Sequence, residues 1–209
     1  MKRNFRDWAL DEIEETFNLL QVEQLDVLTQ WLSFPYTIDD YEKKYLDELK
    51  AVYLIGGDDW NEVELENKFI SPLFVFAKMD SKQFAYFLER ELSTTIGDYE
   101  IMGKVDGMIA TGFRNPRKPY FCLNEYKRQT DPNGDPRAQV LIAMLAAQHL
   151  NEDNNPIYGC YIIGRSWYFM VLLGKEYAIS NVFTCTDEEL YDIFRILKGL
   201  RKGIQLLTD

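Results

Sequence analysis

A carboxylate and an amine two residues apart close the apolar segment KPYFCLNEYK, residues 118–127. Side chains at i and i+2 of a strand lie on the same face, so Glu125 and Lys127 point one way and Tyr126 the other. Asp106 lies on the preceding strand-like run, from which its carboxylate can approach Glu125. Two carboxylates and an ammonium at one sheet edge would hold a hard cation such as Mg²⁺ through oxygen ligands. Such a cluster suits hydrolysis of a phosphodiester.

The Glu-x-Lys spacing alone also fits a solvated strand edge, because acids and lysines two residues apart occur in many exposed strands. The surrounding sequence favours a pocket. The run Phe121-Cys-Leu123 reads as buried, and a strand that changes from apolar to Glu-x-Lys at its end forms the lip of a pocket. A catalytic site and a degenerate site kept as scaffold are both compatible with this pattern.

The elements that must position these residues are a strand hairpin, a third strand and a helix. Period-two alternation predicts the strands, and a capping Asp followed by Pro predicts the start of the helix. The predicted elements are strands over 84–95, 99–111 and 119–127 and a helix that begins at Asp135-Pro136.

Helical spacing dominates the chain before the hairpin. It predicts helices within 5–32, from Thr37 to Gly56-Gly57, and from about Asp59 onward, with Pro72 marking a kink or the end of the third. Two further β-runs, a short third one and a last helix follow the central helix. The order predicts an α/β or α+β fold around a mixed sheet, with an N-terminal helical extension over 1–58 and a core over 59–209.

Charge and composition limit the classes of function. The 209 residues carry 34 acids against 23 bases, a net charge of −11, which opposes nucleic-acid binding because phosphate contacts depend on Lys and Arg. A single histidine means that a metal site must use oxygen ligands. Three cysteines without a CxxC pair argue against disulfides and zinc and favour a reducing cytoplasm. No apolar run is long enough for a membrane span and no signal-peptide pattern is present, so we expect a soluble, cytoplasmic protein.

Three features of the pocket resemble the PD-(D/E)XK nuclease superfamily of restriction-endonuclease-like proteins. They are Asp106, the strand end Glu125-x-Lys127, and Gln139 in the first turns of the following helix. The sequence departs from the name-giving pattern in having Val105, where that pattern has a proline. The resemblance implies a restriction-endonuclease-like core, with a mixed central β-sheet flanked by helices.

An upstream segment extends the resemblance. Asn61-Glu62 followed by Phe69-Ile70-x-Pro72-Leu73 is similar to the first core helix in the group related to the N-terminal nuclease domain of type I restriction motor subunits. The resemblance covers roughly residues 59–165. It implies that an acid at the place of Glu62 completes the site.

The resemblance implies a role for each residue of a metal-dependent nuclease. Asp106 and Glu125 would be the principal ligands of Mg²⁺ or Mn²⁺, helped by the main-chain carbonyl of Tyr126. Lys127 would orient or help deprotonate the attacking water and offset charge at the phosphate. Glu62 would reach the cation directly or through water.

Two of these assignments have alternatives. Gln139 would be a supporting residue, but it equally suits ordinary helix surface. Glu62 competes with Glu64 and Glu66, and all three also suit a hydrated helix face stabilised by the N-terminal helix dipole.

The partner that the resemblance implies is nucleic acid, in particular DNA. The expected nucleic-acid contacts are Arg114, Arg117, Lys118 and Arg128. The first three lie in the loop between the two site strands, which would put positive charge beside a scissile phosphate. Trp167 and Tyr168 could stack bases, although packing in the core is the simpler interpretation.

Two other functions fit the acid excess. One is an acidic protein-interaction module that keeps the nuclease fold without catalysis. The other is a nuclease subunit that acts only with a protein partner, and nucleases of this type also pair as homodimers to cut both strands. No membrane partner is expected.

Overall fold

One mixed β-sheet organises the chain in the computed structural model, which describes residues 1–130 and 134–208. Over these residues the sheet has nine strands. They are β1 Lys2–Asn4, β2 Leu20–Gln21, β3 Phe84–Ile96, β4 Tyr99–Thr111, β5 Arg117–Lys127, β6 Ile157–Ile163, β7 Ser166–Leu173, β8 Glu176–Ile179 and β9 Phe183–Thr184. The hairpin and the third strand predicted from period-two alternation are confirmed within two residues at each end.

Helices flank this sheet. The α-helices of the described residues are α1 Leu10–Phe17, α2 Asp26–Leu32, α3 Asp40–Gly56, α4 Glu62–Leu65, α5 Ser71–Phe76, α6 Pro136–Asn151 and α7 Glu189–Thr208. None of the helices in this part of the chain is long and apolar enough to cross a membrane. The prediction of a mixed sheet flanked by helices is confirmed.

The strand order across the sheet is β1-β4-β5-β6-β7-β8-β2, with β3 also paired to β4 and β9 to β7. Strands β3, β4 and β5 form an antiparallel meander, and α6 then carries the chain to β6, which runs parallel to β5. A parallel neighbour requires such a crossover connection. Asp135 caps α6 by accepting the N–H of Arg137 at 2.9 Å, and Pro136 occupies the first turn, as predicted.

Two cores form on the two faces of the sheet. Helices α1 and α6 pack on one face, and α2, α3, α5 and α7 pack on the other. Helix α6 approaches β6 closely at Gly159, where an added Cβ would lie 2.4 Å from Met144 Sδ. This contact fixes the height of α6, and therefore of its N-terminus, above the sheet.

The first 58 residues belong to the same sheet and cores as the rest of the chain. Strand β1 pairs in parallel with β4, and β2 pairs in parallel with β8. Ile13 of α1 and Leu46 of α3 are fully buried in the two cores. The expected extension over 1–58 therefore does not separate from a core over 59–209. Local periodicity could not reveal this, because strands of two and three residues are defined only by their distant partners.

Helices α4 and α5 form one continuous helix with a π turn between them, at Glu66–Ile70. The Ser71 N–H donates to the Glu66 carbonyl, five residues back. Pro72 has no N–H for the usual bond to residue 68, and its ring would crowd that carbonyl, so a widened turn relieves the conflict. The kink predicted at Pro72 is therefore a π turn. Glu66 lies at its start and its N–H still donates to the Glu62 carbonyl four residues back, so Glu62 and Glu66 lie on the same face of the helix.

Candidate functional site

The ladder between β4 and β5 brings Asp106 beside Glu125. Its last paired residues are Gly107 and Asn124, so one further step along the same register sets Asp106 opposite Glu125. There the side chain of Asp106 replaces the backbone as acceptor, because the Tyr126 N–H donates to Asp106 Oδ2 at 2.6 Å. The structure thus places Asp106 and Glu125 side by side, as the sequence suggested.

Glu125 and Lys127 form a buried ion pair at the end of β5. Each residue is 4% exposed, and Lys127 Nζ donates to Glu125 Oε1 at 2.5 Å. The structure therefore excludes the solvated strand edge, because both side chains are almost entirely removed from solvent. Removing two charges from water costs several kcal/mol per ion before their attraction is counted.

Burial perturbs both carboxyl groups. Desolvation, followed by repulsion from Asp106, raises the pKa of Glu125 to about 7, against an ordinary value of 4.5, and the nearby Lys127 only partly offsets this. Desolvation also raises the pKa of Asp106, whereas the Tyr126 N–H and the Lys127 charge lower it. Strongly perturbed acids that cluster with a charged partner are typical of functional sites.

The helix that begins at Asn61 contributes two more acids. Glu62 Oε1 lies 4.0 Å from Lys127 Nζ, with half of its side chain exposed. Glu66, one turn later, is half-buried, and its pKa is raised by desolvation, by Asp106 and by Glu89. Both acids therefore lie on the side of the helix that faces Asp106 and Lys127. The sequence suggests Glu66 only as a competitor of Glu62, but residues four apart share a helix face, so both acids can lie on the same side.

Glu64 is occupied elsewhere. Its Oε1 accepts from Lys68 Nζ at 2.8 Å, and its Oε2 accepts the Asn61 N–H at 3.2 Å in a capping box. Of the three competing acids, Glu64 is therefore the one that stabilises the helix start.

Gln139 lies buried in the first turns of α6, at 5% exposure. Its Nε2 donates to the Asp135 carbonyl at 3.4 Å, which is a bond within the helix start. Ordinary helix surface is excluded for this residue. The contacts of its amide make it a support of the α6 N-terminus rather than of the acids.

The basic loop residues do not lie beside the acids. Arg114 is exposed in the loop before β5, and Arg117 and Lys118 are exposed at its first residues, whereas Glu125 and Lys127 end the strand. Nine steps along the strand at about 3.3 Å each put Lys118 at most about 30 Å from Lys127, and the irregular pairing at the start of β5 shortens this somewhat. The expectation that this loop flanks a scissile phosphate at the acids is wrong, because the loop joins the far ends of the two strands.

Arg128 does lie at the site. It follows Lys127 and lines a cleft of about 340 Å³ with Asn61, Glu62 and Val63. Of the four expected nucleic-acid contacts, this is the one that the fold brings next to the acids.

The side chains that could hold a divalent cation are Asp106, Glu125 and Glu62, with Glu66 at the rim. Within the described residues, no three His, Cys, Asp or Glu side chains already form a cluster ready to bind a metal. Glu125 Oε1 is engaged by Lys127, and Asp106 Oδ2 by the Tyr126 N–H.

The chain has no match among known proteins in two comparisons: no family model matches it, and no curated protein does. The superfamily resemblance therefore depends on the residues of the site and on their geometry.

Proposed function

We propose that the protein is a restriction-endonuclease-like nuclease that uses Mg²⁺ or Mn²⁺ to hydrolyse phosphodiester bonds of nucleic acid, in particular DNA. The observation that carries the proposal is the buried pair Glu125 and Lys127 at the end of a central strand, with the partly buried Asp106 beside it on the neighbouring strand. Apolar residues of similar volume often stabilise a core as well as a buried ion pair does, and here a second acid, Asp106, lies against the pair, which a purely structural ion pair does not need.

The order of elements supports the same function. A helix bearing Glu62, the meander β3-β4-β5, the crossover helix α6 and the parallel strand β6 follow one another as the superfamily resemblance implies. Asp106 then comes from the second strand, and Glu125 and Lys127 come from the third.

The donor set fits a hard divalent cation. Its candidates are carboxylate oxygens, which Mg²⁺ prefers, and Asp106 and Glu125 both have raised pKa values caused by burial. A positive charge between them would relieve the repulsion that Asp106 exerts on Glu125. A bound cation would supply Lewis-acid activation of the attacking water.

The protein's own side chains carry the other steps. Lys127, released from Glu125, would hold the attacking water and offset the charge that develops on the phosphate oxygens. Glu62, half-exposed at the rim and 4.0 Å from Lys127, would accept a proton from that water and pass it to solvent. Because Lys127 is buried, its charge acts in a medium of low dielectric, where it is stronger than in water.

The test compares the wild type with Lys127→Met on plasmid, single-stranded DNA and RNA, in Mg²⁺, in Mn²⁺ and in EDTA. Lys198→Met is the matched control, because Lys198 forms another largely buried ion pair, with Glu42 at 3.1 Å, away from the site. We expect metal-dependent cleavage by the wild type and the control, and a loss of about 100-fold or more in Lys127→Met. Metal-independent cleavage, or equal cleavage by both variants, would refute the assignment.

A second candidate is an acidic interaction module that keeps this fold without catalysis. The net charge of −11 favours it, as does the direct bond between Glu125 and Lys127, which completes the pair without a ligand. Its signature is a wild type that cleaves nothing alone, gains no stability from Mg²⁺, and binds a basic protein partner as tightly as Lys127→Met does.

A further inference from the structure

Two tyrosines continue the row of site residues across the sheet. In the β5–β6 ladder Glu125 is paired with Tyr161, and in the β6–β7 ladder Tyr161 is paired with Tyr168. Paired residues of neighbouring strands share a face, and strands lie about 4.8 Å apart. Tyr168 therefore lies about 10 Å from Glu125, on the same face of the sheet. That span is comparable to the reach from a phosphate across its sugar to its base.

The two rings lie flat against each other. Their centroids are 4.5 Å apart and their planes differ by 8°. Tyr161 is buried, whereas Tyr168 is partly exposed, so Tyr168 is the outer ring of the pair. Trp167, the neighbouring aromatic residue, is fully buried and packs in the opposite core. The structure thus separates a core aromatic from an accessible one, which the sequence could not do.

A cleft opens over this pair, between the sheet and the start of α6. We call it the tyrosine cleft. It has a volume of about 560 Å³ and is lined by Gly134, Asp135, Pro136, Arg137, Tyr161, Ile163 and Tyr168. Pockets of this size accept small organic groups, particularly where aromatic walls meet a few polar groups.

Arg137 supplies the polar wall of the tyrosine cleft. Its guanidinium donates twice to the Asp135 carboxylate, from Nε and from Nη2, at 3.2 Å each. This bidentate bond holds the guanidinium plane in place, while half of the side chain stays exposed. A fixed guanidinium plane beside a tyrosine pair is a surface on which a flat heteroaromatic ring can stack.

We propose that the tyrosine cleft receives an unpaired nucleobase of the substrate strand, stacked on Tyr168, while a phosphate of that strand lies at Glu125 and Lys127. The inference rests on the proposed function and narrows its substrate to single-stranded or frayed DNA. A base inside a duplex is covered on both faces and paired at its edge, so it reaches such a cleft only after leaving the stack. Stacking on one ring accepts any base, so the cleft selects for strandedness rather than for sequence.

The test measures binding of a short labelled oligo(dT), and of a duplex containing it, by fluorescence anisotropy in EDTA, where cleavage does not interfere. Tyr168→Leu keeps an apolar side chain over Tyr161 but removes the ring, and Tyr168→Phe keeps the ring. Tyr41→Leu is the matched control, since Tyr41 is an exposed tyrosine that contacts Phe76, on the other face of the sheet.

We expect Tyr168→Leu to weaken oligo(dT) binding by about 5-fold to 100-fold, the range for loss of one base–aromatic stack. Tyr168→Phe and Tyr41→Leu should bind as the wild type does, and all should bind the duplex more weakly. An oligonucleotide with one abasic position in the cleft should lose as much affinity as Tyr168→Leu, and combining the two should add no further loss.

Three results would overturn the inference: equal oligo(dT) binding by the wild type and Tyr168→Leu, a loss in Tyr168→Phe as large as in Tyr168→Leu, or a wild type that prefers the duplex or binds no DNA. Cleavage in Mg²⁺ is measured separately with the same proteins. Tyr168-dependent binding without cleavage by the wild type would refute the proposed hydrolysis and leave the stacking site. If Tyr168→Leu cleaves single strands as fast as the wild type does, the stacking site is refuted and the proposed hydrolysis stands.

Discussion

Replacing Glu125 by glutamine should stabilise the metal-free protein at alkaline pH. Glu125 has a pKa of about 7 when folded, against an ordinary value of 4.5 for an unfolded chain. Between these two values the folded state therefore binds more protons than the unfolded state, so this group lowers the free energy of unfolding as the pH rises. Glutamine keeps the shape of the neutral acid and does not ionise.

The magnitude follows from the two pKa values. Each pKa unit corresponds to about 1.4 kcal/mol, so the ionisation of Glu125 costs about 2 to 3 kcal/mol of stability between pH 5 and pH 8. Wild type and Glu125→Gln should then be nearly equally stable at pH 5, and the variant should be more stable by about that amount at pH 8. The exposed fraction of only 4% means that solvent screens little of this effect.

Urea unfolding in EDTA at the two pH values measures the difference directly. Glu42→Gln is the contrasting control, because Glu42 is also buried but accepts bonds from Tyr36, at 2.7 Å, and from the Asp39 N–H, at 3.3 Å. We expect that variant to be less stable than the wild type at both pH values, since glutamine keeps only one of the two acceptor oxygens and loses the charge that pairs with Lys198. If Glu125→Gln changes stability by the same amount at pH 5 and at pH 8, the reasoning about a strained acid is wrong.

Three further predictions concern the surroundings of the acids. Mg²⁺ at 100 times its Kd should increase the free energy of unfolding of the wild type by about 2.7 kcal/mol and so raise its melting temperature. Calorimetry should show no such increase in Asp106→Asn, and an equal increase would mean that the ion binds elsewhere. Arg117→Ala and Lys118→Ala should leave the cleavage rate unchanged, because up to about 30 Å of strand separates them from Lys127; a large loss in a gel assay would contradict that distance. Tyr86→Phe should cost about 1 to 3 kcal/mol in urea unfolding, because it leaves the buried Tyr126 hydroxyl without its bond to Tyr86; unchanged stability would show that the bond contributes nothing.

Those parts of the fold that depend on local signals could be predicted from the sequence. Period-two alternation gave the bounds of β3 and β4 within one residue, and Asp135-Pro136 marked the start of α6. The strand end at Glu125 and Lys127 could be found for the same reason, because a change from apolar to charged residues is visible in a single strand. The direction of each side chain then follows from the geometry of a strand.

Features that depend on pairing between distant segments could not be predicted. The two-residue strand β2 exists only because β8 lies beside it, and the alignment of Tyr161 with Glu125 depends on the register that α6 allows. The basic loop before β5 joins the two site strands, and that connection predicts positive charge beside the acids. The length of β5 decides otherwise, and the sequence does not show how a loop is placed relative to a site at the other end of a strand.

The energetics of β5 also bear on the choice between an enzyme and a silent module. Its last residues bury a charge pair and, at Asn124, a side-chain Nδ2 that finds no hydrogen-bond partner among the described residues. A buried donor without a partner costs about 1 to 3 kcal/mol, and the ionised Glu125 adds its own cost. A module that binds through its acidic surface has no use for polar groups at this depth. A site that binds a cation and a phosphate needs such groups, and their burial then costs stability. We therefore expect Glu125→Gln to be more stable than the wild type and Lys127→Met to be less active.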